Sequence, residues 1–78
     1  MINKEKFTWN IHCKHTPEII DRILMPIRKR AMMVTSIEYH TTSATEAKCN
    51  MQFEADAIEA EKIYKNMLRV VDIIHIER

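Results

Sequence analysis

Glycine is absent from all 78 residues, although average usage of about 7% would supply several. A glycine-built phosphate cradle or dinucleotide-binding turn is therefore excluded, and most nucleotide-binding enzymes with it. Tight turns that need positive φ must fall on tolerant residues such as Asn, Asp or His. Cysteine is scarce. Cys13 and Cys49 are the two present, fewer than a disulfide scaffold of this size carries, and both are expected as reduced core thiols. Neither sign of charge dominates. Twelve Lys and Arg against eleven Asp and Glu leave a net +1, where a dedicated nucleic-acid binder carries a basic excess. No apolar run approaches the ~20 residues of a membrane span. No basic–apolar–small leader opens the sequence, so a cytoplasmic protein is expected, with no membrane and no nucleic acid among its partners.

Hydrophobic residues make up 46% of the chain and charged residues 29%, the balance of a soluble globular protein rather than a disordered one. Its length predicts a single domain over residues 1–78. A chain this short buries roughly 60% of its unfolded surface, so an oligomer or a partner is expected to supplement a thin core.

Residues 7–13 alternate Phe7, Trp9, Ile11 and Cys13 with Thr8, Asn10 and His12, the period of a half-buried strand. Thr16-Pro17-Glu18 then reads as a helix start, with Thr16 as the cap and Pro17 at the first helical position. Ile19, Ile20, Ile23, Leu24 and Ile27 follow at helical spacing, and Pro26 predicts a kink. A second strand is predicted over 33–41, with Met33, Thr35, Ile37 and Tyr39 on one face. Residues 41–45 are small and polar and read as a hairpin connection. A third strand covers 46–54, where Ala47, Cys49, Met51 and Phe53 alternate with Lys48, Asn50 and Gln52. Asp56 caps a second helix with Glu59 three residues on; Ala60, Ile63, Tyr64, Met67 and Val70 form its apolar stripe. A last strand is predicted over 71–76. Adjacent Ile73 and Ile74 suggest that both of its faces are covered.

The order β-α-β-β-α-β predicts an α+β, ferredoxin-like fold: a four-stranded antiparallel sheet with both helices on one face. The other face is left open, with Thr8, Asn10, His12, Lys48, Asn50 and Gln52 as members. Catalytic chemistry finds little support. His12 and Cys13 point to opposite faces of one strand and cannot readily share an ion, so no metal site is expected. Neither cysteine has an oriented base nearby in sequence. An RNA-binding sheet needs aromatics on its open face, and Phe53 falls with the core-facing set. Met32 and Met33, at the helix-to-strand junction, are candidates for an apolar subunit contact.

Two segments carry a family resemblance. Pro17-Glu18-Ile19-Ile20-Asp21-Arg22-Ile23-Leu24-Met25-Pro26-Ile27-Arg28-Lys29-Arg30, followed by Val34-Thr35-Ser36-Ile37-Glu38, resembles the small regulatory subunit of acetolactate (acetohydroxyacid) synthase, in its short isozyme-II form, a single ACT domain. Leu68-Arg69-Val70-Val71-Asp72-Ile73-Ile74-His75-Ile76 is similar to the family's ending on the fourth strand. The likeness runs from Phe7 to Ile76. It implies a non-catalytic subunit with no cofactor of its own, which binds a large catalytic subunit that carries thiamine diphosphate. That enzyme joins two 2-oxo acids in branched-chain amino-acid biosynthesis. The resemblance also implies a homodimer formed through the first helix and the second strand, with Met33, Thr35, Ile37 and Tyr39 on the dimer edge. An amino-acid effector, possible in the family, would meet the loop His15-Thr16-Pro17-Glu18-Ile19-Ile20, where relatives carry N-x-P-G-x-L. His15 replaces the Asn and Glu18 the Gly, so weak or absent valine binding is expected. Two alternatives remain: a stand-alone ACT module that binds another amino acid or regulates another enzyme, and a ferredoxin-like RNA-binding domain.

Overall fold

Strand β1 (Glu5–Lys14) leads through helix α1 (Ile19–Arg28) to β2 (Met33–Thr41), and β3 (Glu46–Ala55) through α2 (Ala57–Met67) to β4 (Ile73–Glu77). This is a computed structural model that describes residues 4–29 and 33–78. The strands form one antiparallel sheet in the order β2-β3-β1-β4. The fold is the ferredoxin-like βαββαβ arrangement, with both helices packed on one side of the sheet.

The core follows from the alternation. Trp9, Ile11 and Cys13 of β1 and Ala47, Cys49, Met51, Phe53 and Ala55 of β3 are buried beneath Ile19, Ile23 and Ile27 of α1 and Ala60, Ile63 and Met67 of α2. The rings of Trp9 and Phe53 meet edge-on at 4.7 Å, with Tyr64 at 5.9 Å from Trp9. Asp56 caps α2 by accepting the Glu59 N–H at 2.8 Å, which satisfies a donor that the helix itself cannot. The β2–β3 hairpin turns without glycine. The Ser43 hydroxyl accepts the Thr45 and Glu46 N–H groups at 3.2 and 3.1 Å, a side chain doing what a backbone turn bond does elsewhere.

Four local expectations are corrected. Thr16 is not the cap of α1. Pro17 and Glu18 complete a turn in which the Ile19 N–H donates to the Thr16 carbonyl at 3.2 Å, so Glu18 stands at the cap position without a side-chain cap bond. The face of β2 is not continuous. Between Val34 and Ser36 the register slips, so Thr35 is the extra residue of a bulge. Val34 packs on the core, Met33 opposite Glu54 belongs to the open face, and Ile37 and Tyr39 return to the helix side opposite buried Met51 and Cys49. The predicted set Met33, Thr35, Ile37 and Tyr39 is thus split. The last strand starts two residues later than expected, after α2 ends at Met67 and the Val70 carbonyl accepts the Ile73 N–H. A second register slip lies opposite His12 and Cys13. It explains the Ile73-Ile74 pair: Ile73 opposes Cys13 and packs on the core, while Ile74 is 53% exposed. Both faces of β4 are therefore not covered. Met32, part of the suggested junction contact, lies outside the described residues.

Candidate functional site

Leaving the core face of β1, the chain passes the end of the sheet before α1 begins. Lys14 donates its N–H to the Asp72 carbonyl and His15 donates to the Thr45 carbonyl, both at 2.8 Å. These bonds tie the loop to the turn before β4 and to the β2–β3 hairpin. His15 Nδ1 lies 2.7 Å from the Tyr39 hydroxyl, with the rings 5.7 Å apart. One hydrogen bond thus joins the predicted effector loop to the predicted dimer edge.

The loop closes a shallow cavity of about 340 Å³, lined by Thr16, Pro17, Glu18, Arg22 and Asp72. Arg22 organises it. Its guanidinium donates to Asp72 Oδ2 at 2.9 Å and reaches Glu18 Oε2 at 3.5 Å. Asp72 is the better shielded of the two acids, at 17% exposure against 74% for Glu18, so the Arg22–Asp72 bond is the stronger anchor. The Thr16 hydroxyl oxygen is buried and has no hydrogen-bond partner among the described residues. The cavity therefore presents one arginine already shared between two carboxylates, with the unpartnered Thr16 hydroxyl buried beside it. Ile19 turns into the core, whereas Ile20 stays 40% exposed.

Sequence reasoning placed His15 to Ile20 in one loop, and the structure brings that loop together with Tyr39. It missed Arg22 and Asp72. They stand 50 positions apart, and only the crossover topology makes them neighbours. Beyond the loop, β2 is an outer strand of nine residues, with Met33 at 65% and Ile37 at 40% exposure. A second groove of about 510 Å³ lies between α1 and the end of α2, lined by Met25, Pro26, Lys29, Asn66, Val70 and Val71 with Arg22.

Both thiols face the core and are free. Burial pushes the Cys49 thiol up to about 11, and the Cys13 sulfur adds to the rise. Cys13 is raised by its burial first and the Asp72 charge second. Protonated, core-facing thiols are poor nucleophiles and poor metal ligands. Burial likewise raises the Tyr39 phenol above its ordinary value, with Cys13 and Cys49 adding to it, so its hydroxyl keeps its proton. The folded state holds the Cys49 proton more tightly than the unfolded chain. That contribution to stability is complete below the ordinary value of 9.0 and is lost as pH climbs to about 11. The thermal midpoint is expected to fall across that window, and Cys49→Ala should flatten part of the fall. Parallel wild-type and variant profiles would count against the buried thiol.

Among the described residues, no group of three His, Cys, Asp or Glu converges in a way that could hold a metal ion. No helix there is long and apolar enough to cross a membrane. Phe7, Trp9, Tyr39, Phe53 and Tyr64 all lie against the core, so among the described residues the open face presents no Phe, Tyr or Trp ring for the base stacking that RNA recognition on a sheet uses.

No protein-family model matches the sequence, and no curated protein matches it. Solved structures do match in fold. The ACT domain of a GTP pyrophosphokinase from Chlorobium tepidum superposes with a TM-score of 0.81 at 14% identity, over 97% of this chain and 99% of that one. An acetolactate synthase small subunit from Thermotoga maritima gives 0.79 at 12% identity, over 94% of this chain but 46% of its own length. The regulatory subunit of an aspartate kinase from Thermus thermophilus gives 0.61 at 10%, over 97% of this chain and 56% of that one. The chain has the fold of an ACT domain.

Proposed function

We propose that this protein is a non-catalytic regulatory subunit of an acetolactate synthase, a homodimer that binds a large thiamine-diphosphate-dependent catalytic subunit in the cytoplasm. The observation that carries the reading is the pairing of a long outer strand, β2, with the loop His15–Ile20 through the His15–Tyr39 bond. A two-fold pairing of β2 with β2 of a second copy would extend the sheet, protect an exposed edge and set two such loops beside the interface. The resemblance of the α1 and β4 segments to the synthase small subunits supports the choice of enzyme. The protein needs no cofactor for this role, because the thiamine chemistry belongs to the catalytic subunit.

Effector binding is weak or absent in this reading. An amino-acid ligand presents a carboxylate, and the loop already holds Glu18 and Asp72 around its one lining cation, Arg22. A third carboxylate would have to displace one of them. The Thr16 hydroxyl alone is a modest counterweight, since a typical hydrogen bond contributes about 0.5–1.5 kcal/mol net. Calorimetry with valine should show no tight stoichiometric binding, and Glu18→Gly should strengthen whatever weak binding is measured. Tight valine binding by the unaltered protein would overturn this part of the reading. Co-purification of the tagged protein from its source cells should bring down a large thiamine-dependent synthase. Recovery of a different enzyme would favour an ACT module that serves another pathway.

A further inference from the structure

We propose that the open face of the sheet binds the same face of a second copy of this protein, about a two-fold axis that crosses the strands. Two of its cross-strand rows run across all four strands, flanked by Thr8 opposite Gln52 and Lys6 opposite Glu54 on one side and by Lys14 opposite Glu46 on the other. In the first, the register sets His40 opposite Lys48, Lys48 opposite His12, and His12 opposite His75. In the second, two residues along each strand, Glu38 stands opposite Asn50, Asn50 opposite Asn10, and Asn10 opposite Glu77. One row therefore holds a lysine and three histidines. The other is acidic at both ends and carries amides in the middle.

This pattern is self-complementary under one operation. Neighbouring strands lie about 4.8 Å apart and same-face residues about 6.7 Å apart along a strand. A two-fold axis midway between the rows, parallel to them, keeps each strand over its own copy and exchanges the rows. His40 and His75 then face the partner's Glu38 and the partner's Glu77. Lys48 and His12 face the partner's Asn50 and the partner's Asn10. Asn10 and Asn50 are already locked to each other by a 2.8 Å bond, which holds both amides in place and leaves each a polar group to offer. At the β2 end the groups are free to reorient, since His40 and Glu38 are 72% and 67% exposed and their mutual contact is 3.7 Å; at the β4 end Glu77 must share its carboxylate between His12 of its own chain and the partner's His75. His12 is held more firmly, by Glu77 at 2.8 Å and by the His75 ring at 5.7 Å. The contact is isologous, the commonest kind between identical chains. Pairing through the edge of β2 leaves this face uncovered, so the two contacts coexist.

Few apolar side chains contribute, so the association is electrostatic and salt-sensitive. Histidine is the side chain that gains charge on mild acidification. Sedimentation equilibrium of the full chain at about pH 6 should show the assembly doubling in mass at ~0.01 M salt. It should return to the smaller species at ~1 M salt, where the Debye length shrinks from about 30 Å to about 3 Å. The His40→Glu/His75→Glu double variant makes the row ends of both rows acidic, and Glu38→Lys/Glu77→Lys makes both basic. Each alone should lose the doubling, and an equimolar mixture of the two should restore it. All four positions are on the surface, so both variants should keep the fold. Doubling that survives in either variant alone, a mixture that fails to recover it, or a wild-type mass unchanged by salt would each overturn the proposal. None of these outcomes depends on the identity of the regulated enzyme. Adding Ile20→Lys/Ile37→Lys, aimed at the β2 edge, should leave the face contact intact.

Discussion

Trp9→Ala should lower the thermal midpoint by more than about 12 °C. Removing a buried aromatic costs about 3–5 kcal/mol. A domain of this length has roughly 4–12 kcal/mol of stability in all, and each kcal/mol moves the midpoint by about 4–8 °C. Trp9 is 2% exposed. It stands edge-on to Phe53 at 4.7 Å, to Tyr64 at 5.9 Å and to Phe7 at 6.5 Å, so its loss opens a cavity on the central strand and strips a ring partner from three neighbours. The comparison is Ile58→Ala, on α2 and 70% exposed, which should stay within about 0.5 kcal/mol of wild type. Calorimetry of both variants checks the pair. A Trp9→Ala midpoint within about 5 °C of wild type would mean that the aromatic cluster does not hold the helices to the sheet.

The second large effect concerns assembly. Ile20→Lys/Ile37→Lys should convert the proposed β2-edge dimer to monomer and leave the circular dichroism unchanged. Both side chains are 40% exposed. Ile37 lies on the helix side of the outer strand, opposite Met51, and Ile20 is the exposed isoleucine near the start of α1. A central interface residue is worth about 2 kcal/mol or more, so the pair should weaken association by at least about 30-fold. Lysine on an outer strand is also a common natural guard against edge-to-edge pairing. Light scattering over a concentration series reads the change. A variant that stays dimeric at low concentration would move the interface away from β2.

How much of this was legible in the sequence differs from element to element. The period-two runs around Trp9 and Met51 gave the central strands and their buried faces, because both strands pair on two sides and cannot slip without exposing a whole set of apolar side chains. Asp56 gave the start of α2, because its side chain acts within three residues. The outer strands were read less well. A uniform alternation put Thr35 on one face with Met33, Ile37 and Tyr39, and took adjacent Ile73 and Ile74 for a strand covered on both faces. Each edge instead carries a register slip, which is easier at a strand with one neighbour. The start of α1 was misplaced because Pro17-Glu18 fits a preceding turn as well as a first helical turn. The loop His15–Ile20 was singled out through the family resemblance, and its electrostatics were not legible. They depend on Arg22 meeting Asp72 across 50 positions, and the link to Tyr39 depends on the crossover from β1 to β2.

The most direct test of the regulatory reading is turnover of the thiamine-dependent catalytic subunit of acetolactate synthase from the same cells, with and without the purified protein. The expected result is a change in turnover that saturates at a fixed ratio of the two chains and is insensitive to added valine. Turnover that is unaltered at every ratio, with no complex formed between the two chains, would contradict it.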